Sequence, residues 1–217
     1  TRYPQAVRSS SLLEDAAHEP FAGVYGTKII PNNQLDANTR FRRLVEAIKF
    51  VYASLFFRSA KAYLKATNHE LREEKMAVII QDVVGKKFGS RYYPELSGVA
   101  RSYNFYPMDK AKHEDGVVHL ALGLGKTIVD GGISWSFSPA RPKVKPPYRT
   151  VDELLKITQT RFWALNLGDP PAYDPLKETE YMVSADLTTA EQDGSLRYLA
   201  STFDPYANRL TIGTGSP

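Results

Sequence analysis

The sequence predicts an α+β fold with a mostly antiparallel sheet and flanking helices. Three observations predict it. Short apolar runs bounded by glycine, proline and asparagine recur along the chain. One segment, Phe41 to Phe56, has the three-and-four apolar spacing of a long helix. From Ser97 to Phe137 strand-like runs follow one another directly.

The elements follow in order. Thr1 to Ser11 reads as a short strand ending in a loop, and Gly23 to Ile30 as a second strand turned by Pro31-Asn32-Asn33. Phe41, Leu44, Val45, Ile48, Val51, Tyr52, Leu55 and Phe56 read as one buried helix face, with Asp36 or Asn38 as its cap. Ser59 to Thr67 reads as a second helix with Ala60, Tyr63 and Leu64 facing in. The β-branched run Met76 to Val84, stopped by Gly85, reads as a central strand. Ser97 to Tyr106, Gly116 to Leu122 and Ile133 to Phe137 read as strands, and Pro139 to Pro147 as a linker or surface crossing. Val151 to Leu167 has helical spacing, and Glu180 to Leu187 and Leu196 to Phe203 read as strands. No internal repeat is visible.

The 217 residues, 42% hydrophobic and 12% aromatic, suffice for one large domain or two small lobes. Cysteine is absent, which removes disulfides, thiolate nucleophiles and cysteine-based zinc sites and fits a cytoplasmic location. The net charge is +4, yet 28 basic residues are scattered among 24 acids. No nucleic-acid partner is expected, and the excess suits a small anionic ligand. Apolar runs such as Met76 to Ile80 are too short to cross a bilayer, so no membrane partner is expected either. No signal-peptide pattern opens the chain. The chain begins at Thr1 rather than methionine, as a processed protein or a piece of a longer one would.

The chemistry concentrates in Val7-Arg8-Ser9-Ser10-Ser11, with Glu14-Asp15 and Phe21-Ala22-Gly23 behind it. A guanidinium offers planar, charge-assisted donors to phosphate oxygens, and serine hydroxyls and turn amides add neutral ones. That order suits a polyphosphate. The blander alternative pairs Arg8 with Glu14 or Asp15, and leaves those acids as caps or solvated charges.

Three further segments accompany it. Ala47-Ile48-Lys49 leads to Ala53-Ser54-Leu55-Phe56, Arg58-Ser59-Ala60 and Tyr63. Met76 to Val84 precedes Ser97-Gly98-Val99. Leu122-Gly123-Leu124-Gly125-Lys126-Thr127-Ile128-Val129-Asp130-Gly131-Gly132 closes the set. These four, in this order, resemble the N-terminal ATP-binding domain of the phosphoenolpyruvate synthase and pyruvate phosphate dikinase family. The match fades after about residue 145.

The resemblance implies an incomplete ATP-grasp-like domain, a fragment cut inside the domain at both ends. Residues 1–145 would be its nucleotide-binding region and 146–217 a divergent extension of the same domain. Arg8 matches the arginine that grips the ATP phosphates and takes part in catalysis. Ser9 to Gly23, with Ser10 and Ser11, match the loop over them. Gln81-Asp82-Val83 match the hinge strand whose backbone reads the adenine edge, and Gly123 to Gly132 a glycine-rich segment near the site. Family members use ATP, with magnesium, to phosphorylate a histidine on a separate swivelling domain, which passes the phosphoryl group to pyruvate on a third. ATP and Mg2+ are the implied cofactors, with the metal's ligands mainly outside this chain and no metal site within it. The swivelling phosphohistidine domain and the pyruvate-binding domain are the implied partners.

The chain departs from the pattern in several places. Lys126 stands where the family usually has glutamate, and Asp82 replaces a more usual basic or apolar residue. No lysine precedes Arg8, and no strand with two acids followed by glutamine and arginine is present. Gln159-Thr160-Arg161 imitates the last motif inside a helical pattern. His18, His69, His113 and His119 lack the neighbours of a phosphoacceptor. The full-length protein is thus expected to be an ATP-dependent phosphotransferase, and this chain alone inactive. The alternative is a degenerate, non-catalytic nucleotide- or partner-binding module. The Phe41 to Phe56 stripe, Tyr92, Tyr93 and Trp135 read as core, and His119 as a core or surface residue. Lys86 to Gly89 reads either as a lid or as a solvated hairpin.

Overall fold

Period-two patterning around Arg8 makes a strand, and two neighbours complete a small sheet. The computed structural model describes residues 2–14, 23–67, 72, 74–107, 111–144, 150–197, 199–204, 206–207 and 209–212. Asp15, His18, Phe21, Ala22, His69 and the prolines at 146 and 147, all named above, lie outside the described residues. The chain divides into two units. The first comprises residues 1–84 with 165–183, the second 85–164 with 184–217.

In the first unit, Gln5–Ser11 (β1) lies between Thr27–Ile30 (β2) and Met76–Asp82 (β3), and both ladders are antiparallel. The apolar run of β3 predicts a central strand, but β1 takes the centre and β3 the edge, where Ile79 and Ile80 are 38% and 44% exposed. A continuous apolar run is buried on both faces only when other layers cover both faces of the sheet.

Ala37–Ser54 (α1) packs on β1 and β2. Asp36, rather than Asn38, caps it and accepts hydrogen bonds from the amides of Asn38 (3.3 Å) and Thr39 (2.7 Å). The Thr39 hydroxyl, then the capping amides, hold the Asp36 carboxyl below the usual carboxylate range. The buried stripe of α1 is Ala47, Phe50, Val51 and Ser54, above Val7 and Ile30. The expected stripe is therefore only partly buried, with Phe41 66% and Tyr52 44% exposed. The helix has two apolar sides. The small Ala47 and Ser54 let the sheet approach, and Phe50 fills the space over Gly26, where a Cβ would stand 2.6 Å from the ring.

Arg58–Ala66 (α2) presents Ala60 and Leu64 to Leu13 and Tyr25, a cluster that closes over the turn after β1. Burying each such large side chain contributes about 1.5–3 kcal/mol. Lys28, beside Val7 on the α1-facing side, is buried. Its Nζ lies 2.8 Å from Glu180 Oε2 and donates to the carbonyls of Lys177 (2.6 Å), Pro175 (3.2 Å) and Asp174 (3.3 Å). This contact joins residues 165–183 to β2 within the first unit.

In the second unit, Lys86–Phe88 (β4) and Arg91–Tyr93 (β5) form an antiparallel hairpin, so the segment open to two readings is a hairpin. Ser97–Arg101 (β6), Val117–Ala121 (β7) and Trp135–Phe137 (β8) make an antiparallel sheet in that order. Lys126–Val129 (α3) lies between β7 and β8.

The helix expected over Val151 to Leu167 is corrected. Only Val151–Lys156 (α4) is helical, and Arg161–Asn166 is a strand (β9). Thr158 Oγ1 turns back to the Leu155 carbonyl (3.0 Å). Gln159 then binds both the amide (2.8 Å) and the carbonyl (3.0 Å) of Leu122. Those bonds end the helix. Phe162 is buried, its ring centroid 4.7 Å from that of Tyr93.

Met182–Asp186 (β10) completes the sheet order β10-β9-β5-β4. The chain leaves the second unit within β9 and returns within β10. Leu187–Gln192 (α5) follows, and Ser201–Asp204 (β11) pairs antiparallel with Arg209–Ile212 (β12). Tyr92 and Tyr93 are core as expected, whereas Trp135 is exposed. Helices with antiparallel ladders make this an α+β chain. Among the described residues, no helix is long and apolar enough to cross a membrane.

Candidate functional site

Alternation along β1 divides the arginine–serine segment between two faces. Val7, Ser9 and Ser11 are buried on the side that α1 covers, while Arg8 is exposed and Ser10 half-buried on the other. Cross-strand pairing gives Arg8 the neighbours Thr27 and Ile79, Ser10 the neighbour Ala77, and Ala6 the neighbours Ile29 and Gln81. The open face thus has an apolar floor of Ala6, Ile29, Ala77 and Ile79, with Arg8, Ser10, Thr27 and Gln81 as its polar groups. Arg8 and Gln81 sit diagonally on adjacent strands, a spacing of about 7–8 Å. Thr27, Ile29 and Ile79 were not singled out from the sequence, because they join the site only through strand register.

The loop expected from Ser9 onward is corrected: Ser9, Ser10 and Ser11 belong to β1, paired with β3, and Ser9 and Ser11 serve a different purpose. Ser9 Oγ donates to Glu14 Oε1 (2.8 Å), the Ser11 amide donates to Glu14 Oε2 (2.8 Å), and the Glu14 amide donates to Ser11 Oγ (3.2 Å). β2 begins only at Thr27, so the Ser11 amide has passed the end of its partner strand and the carboxylate replaces it. Leu12 is fixed through its amide by Glu74 Oε1 (3.1 Å) and the Lys75 carbonyl (3.2 Å), and Tyr25 Oη donates to Glu74 Oε2 (2.5 Å). Burial first, then the Glu74 and Glu14 carboxylates, push the Tyr25 phenol well above its ordinary range. Glu14 is therefore engaged on the face away from Arg8 and is not its ion-pair partner.

The hinge segment is divided too. The Val83 amide donates to the Pro4 carbonyl (2.8 Å) at one end of the β1–β3 ladder, and the Leu12 amide to the Lys75 carbonyl (3.2 Å) at the other. Antiparallel bonding alternates, so Gln81 and Val83 turn their backbone groups toward β1, and Asp82 turns its amide and carbonyl to the free edge. Gly23 is exposed with φ +79°, a left-handed conformation that favours glycine although a Cβ would meet nothing within 4 Å.

The glycine-rich segment belongs to the second unit. Gly123, with φ +83°, lies so close to β9 that a Cβ would stand 2.6 Å from the Trp163 carbonyl. Lys126 Nζ lies 3.1 Å from Asp130 Oδ2. Among the described residues, no group of three or more His, Asp or Glu side chains is placed to hold a metal ion.

An exposed arginine over an apolar floor, one strand from a free edge with an outward amide and carbonyl, can hold an anion beside a flat polar-edged ring. Comparison with known proteins supplies the family. The family described as "Pyruvate phosphate dikinase, AMP/ATP-binding domain" matches residues 1–161. An "Uncharacterized phosphotransferase YvkC" of Bacillus subtilis (strain 168) is 30% identical over 131 residues, which cover 59% of this chain and 13% of that protein. The chain thus spans a small part of the length of this curated relative. On the family match, which covers well over half of its length, the chain belongs to the AMP/ATP-binding domain family of pyruvate phosphate dikinase.

Proposed function

We propose that this chain is the nucleotide-binding portion of an ATP-dependent phosphotransferase resembling phosphoenolpyruvate synthase. The observation that carries the reading is the position of Arg8 on the open sheet face, one strand from the free edge at Asp82. The guanidinium takes the phosphate oxygens and offsets their charge as the terminal phosphoryl group leaves. Ser10 and Thr27 supply neutral donors on the same face. The Asp82 amide and carbonyl take the adenine edge, and Ile79 on the same strand lies beside the ring. Gly23 supports the turn of the loop that folds over the phosphates. The family match to residues 1–161 supports reading residues 1–145 as the nucleotide-binding region.

In this proposal the acceptor is a histidine on a swivelling domain and the final acceptor is pyruvate, both outside these residues. Magnesium would neutralise phosphate charge in such chemistry. Among the described residues, the acids bonded to the arginine–serine segment, Glu14 and Glu74, are taken by Ser9, Ser11, Leu12 and Tyr25. The described residues do not fit a metal beside Arg8. A second reading, a non-catalytic nucleotide- or partner-binding module, is favoured by Lys126. It pairs with Asp130 where the family usually has glutamate.

Titration of the chain with a non-hydrolysable ATP analogue tests the proposal. Saturable one-to-one binding, competed by ATP, is expected. Absence of binding at millimolar analogue would remove the nucleotide reading.

A further inference from the structure

The outer side of α1 has a sequence pattern that its own sheet does not use. Phe41, Val45, Ile48 and Tyr52 follow each other at intervals of four, three and four residues, the spacing of a coiled-coil seam. They lie on the side away from Ala47, Phe50 and Ser54. Phe41 and Tyr52 are exposed, Val45 and Ile48 half-buried. A helix buried on one side and apolar again on the other has a second surface to cover.

The rim of this seam is basic. Arg42 and Lys49, each one residue after a seam position and seven apart, are exposed along one edge. Arg42 also donates to the Thr39 hydroxyl of the preceding turn (3.1 Å). The other arginines of α1 are engaged too. Arg43 lies 3.0 Å from Glu46, and Arg40 donates to the carbonyls of Gln34 (2.7 Å) and Leu35 (3.0 Å). In helix pairs such rim positions face the partner's rim and select it by charge.

We propose that the outer seam of α1 docks an amphipathic helix of a protein partner whose apolar seam is flanked by Glu or Asp. Charge complementarity identifies the partner. A second copy of this chain, paired antiparallel through the same seam, would set Arg42 and Lys49 against their own counterparts. The seam is also narrow, unlike the broad apolar face of a helix lying in a membrane surface.

The test uses two labelled three-heptad peptides with leucine at the seam, one with glutamate and one with lysine at the rim, titrated into the chain by fluorescence anisotropy. The glutamate peptide is expected to bind about fivefold more tightly, and Arg42→Glu with Lys49→Glu to reverse the preference. Tyr52→Asp or Phe41→Asp is expected to weaken binding more than about tenfold while the thermal transition by circular dichroism is retained, because both side chains are exposed. Equal binding of the two peptides, binding of neither, or affinity unchanged in both seam variants overturns the proposal. So does a dimer in sedimentation that Tyr52→Asp dissolves, or tighter binding to phosphatidylserine vesicles than to the glutamate peptide.

Discussion

Lys28 Nζ lies 2.8 Å from Glu180 Oε2, and both side chains are almost fully buried. The Lys28 ammonium also reaches three backbone carbonyls, while Glu180 Oε1 accepts from the Asp174 amide at 3.2 Å. Desolvation of two ions is offset only because each is fully partnered. The pair holds residues 165–183 against β2, on the face opposite Arg8, and so secures the sheet rather than the site.

Removing one partner should expose that dependence. Glu180→Ala is expected to cost about 3–5 kcal/mol in urea unfolding, because it leaves a buried ammonium without its counter-ion. Lys28→Met combined with Glu180→Leu should recover only part of the loss, because the three carbonyls and the Asp174 amide lose their partners. A single-variant cost below about 1 kcal/mol would mean that the pair is solvated in solution.

Ser9 and Ser10 should separate stability from binding. Ser9→Ala removes the hydroxyl donor to Glu14 and is expected to cost about 1–2 kcal/mol of stability with little effect on analogue affinity. Ser10→Ala, on the Arg8 face, should leave stability within about 0.5 kcal/mol and weaken the analogue severalfold. Parallel melts and titrations of the two variants check the division.

How much of this was legible follows from particular residues. The apolar spacing found β1, α1 and β3, and the hydroxyls after Arg8 lie within β1. Period-two alternation already implied that Ser9 and Ser11 face away from Arg8, yet neighbours in a motif are easily read as one site. Glu14 could be seen, but its role depends on β2 ending at Thr27, which is a matter of register. The outer stripe of α1 misled because both sides of the helix are apolar, and side-chain size decided which met the sheet. Val151 to Leu167 misled because its helical spacing continues beyond the point where Gln159, bonded to Leu122, ends the helix.

The hinge proposal has a backbone test. Asp82→Pro removes an amide that points to the free edge and leaves the β1–β3 ladder intact, so the fold should survive with affinity for the analogue lowered about fivefold to tenfold. Gln81→Pro removes an amide directed at β1 and should destabilise by about 3 kcal/mol. Urea unfolding of both variants, with titration of the folded one, distinguishes these outcomes.

Stability should fall in alkali. Burial first, then carboxylate neighbours, raise Tyr25, and burial raises Tyr93 and Tyr181 to about 12 each. An unfolded tyrosine ionises near 10. Above that pH the unfolded chain loses protons that the folded chain keeps, so the stabilisation is complete below pH 10 and is lost between about 10 and 12. Each such tyrosine contributes a slope of up to about 1.4 kcal/mol per pH unit. Urea midpoints at pH 9, 10 and 11 should decline, and Tyr93→Phe should make the decline shallower.

The central claim is that Arg8 holds phosphate on the open face of the sheet. Titration of the wild type and Arg8→Ala with both a non-hydrolysable ATP analogue and adenosine tests it most directly. Losing one charge-assisted grip should weaken the analogue by about 10- to 100-fold and adenosine by less than about twofold, with the melting temperature unchanged. Equal affinity of the two proteins for the analogue, or equal losses for analogue and adenosine, would contradict the assignment of Arg8 to the phosphates.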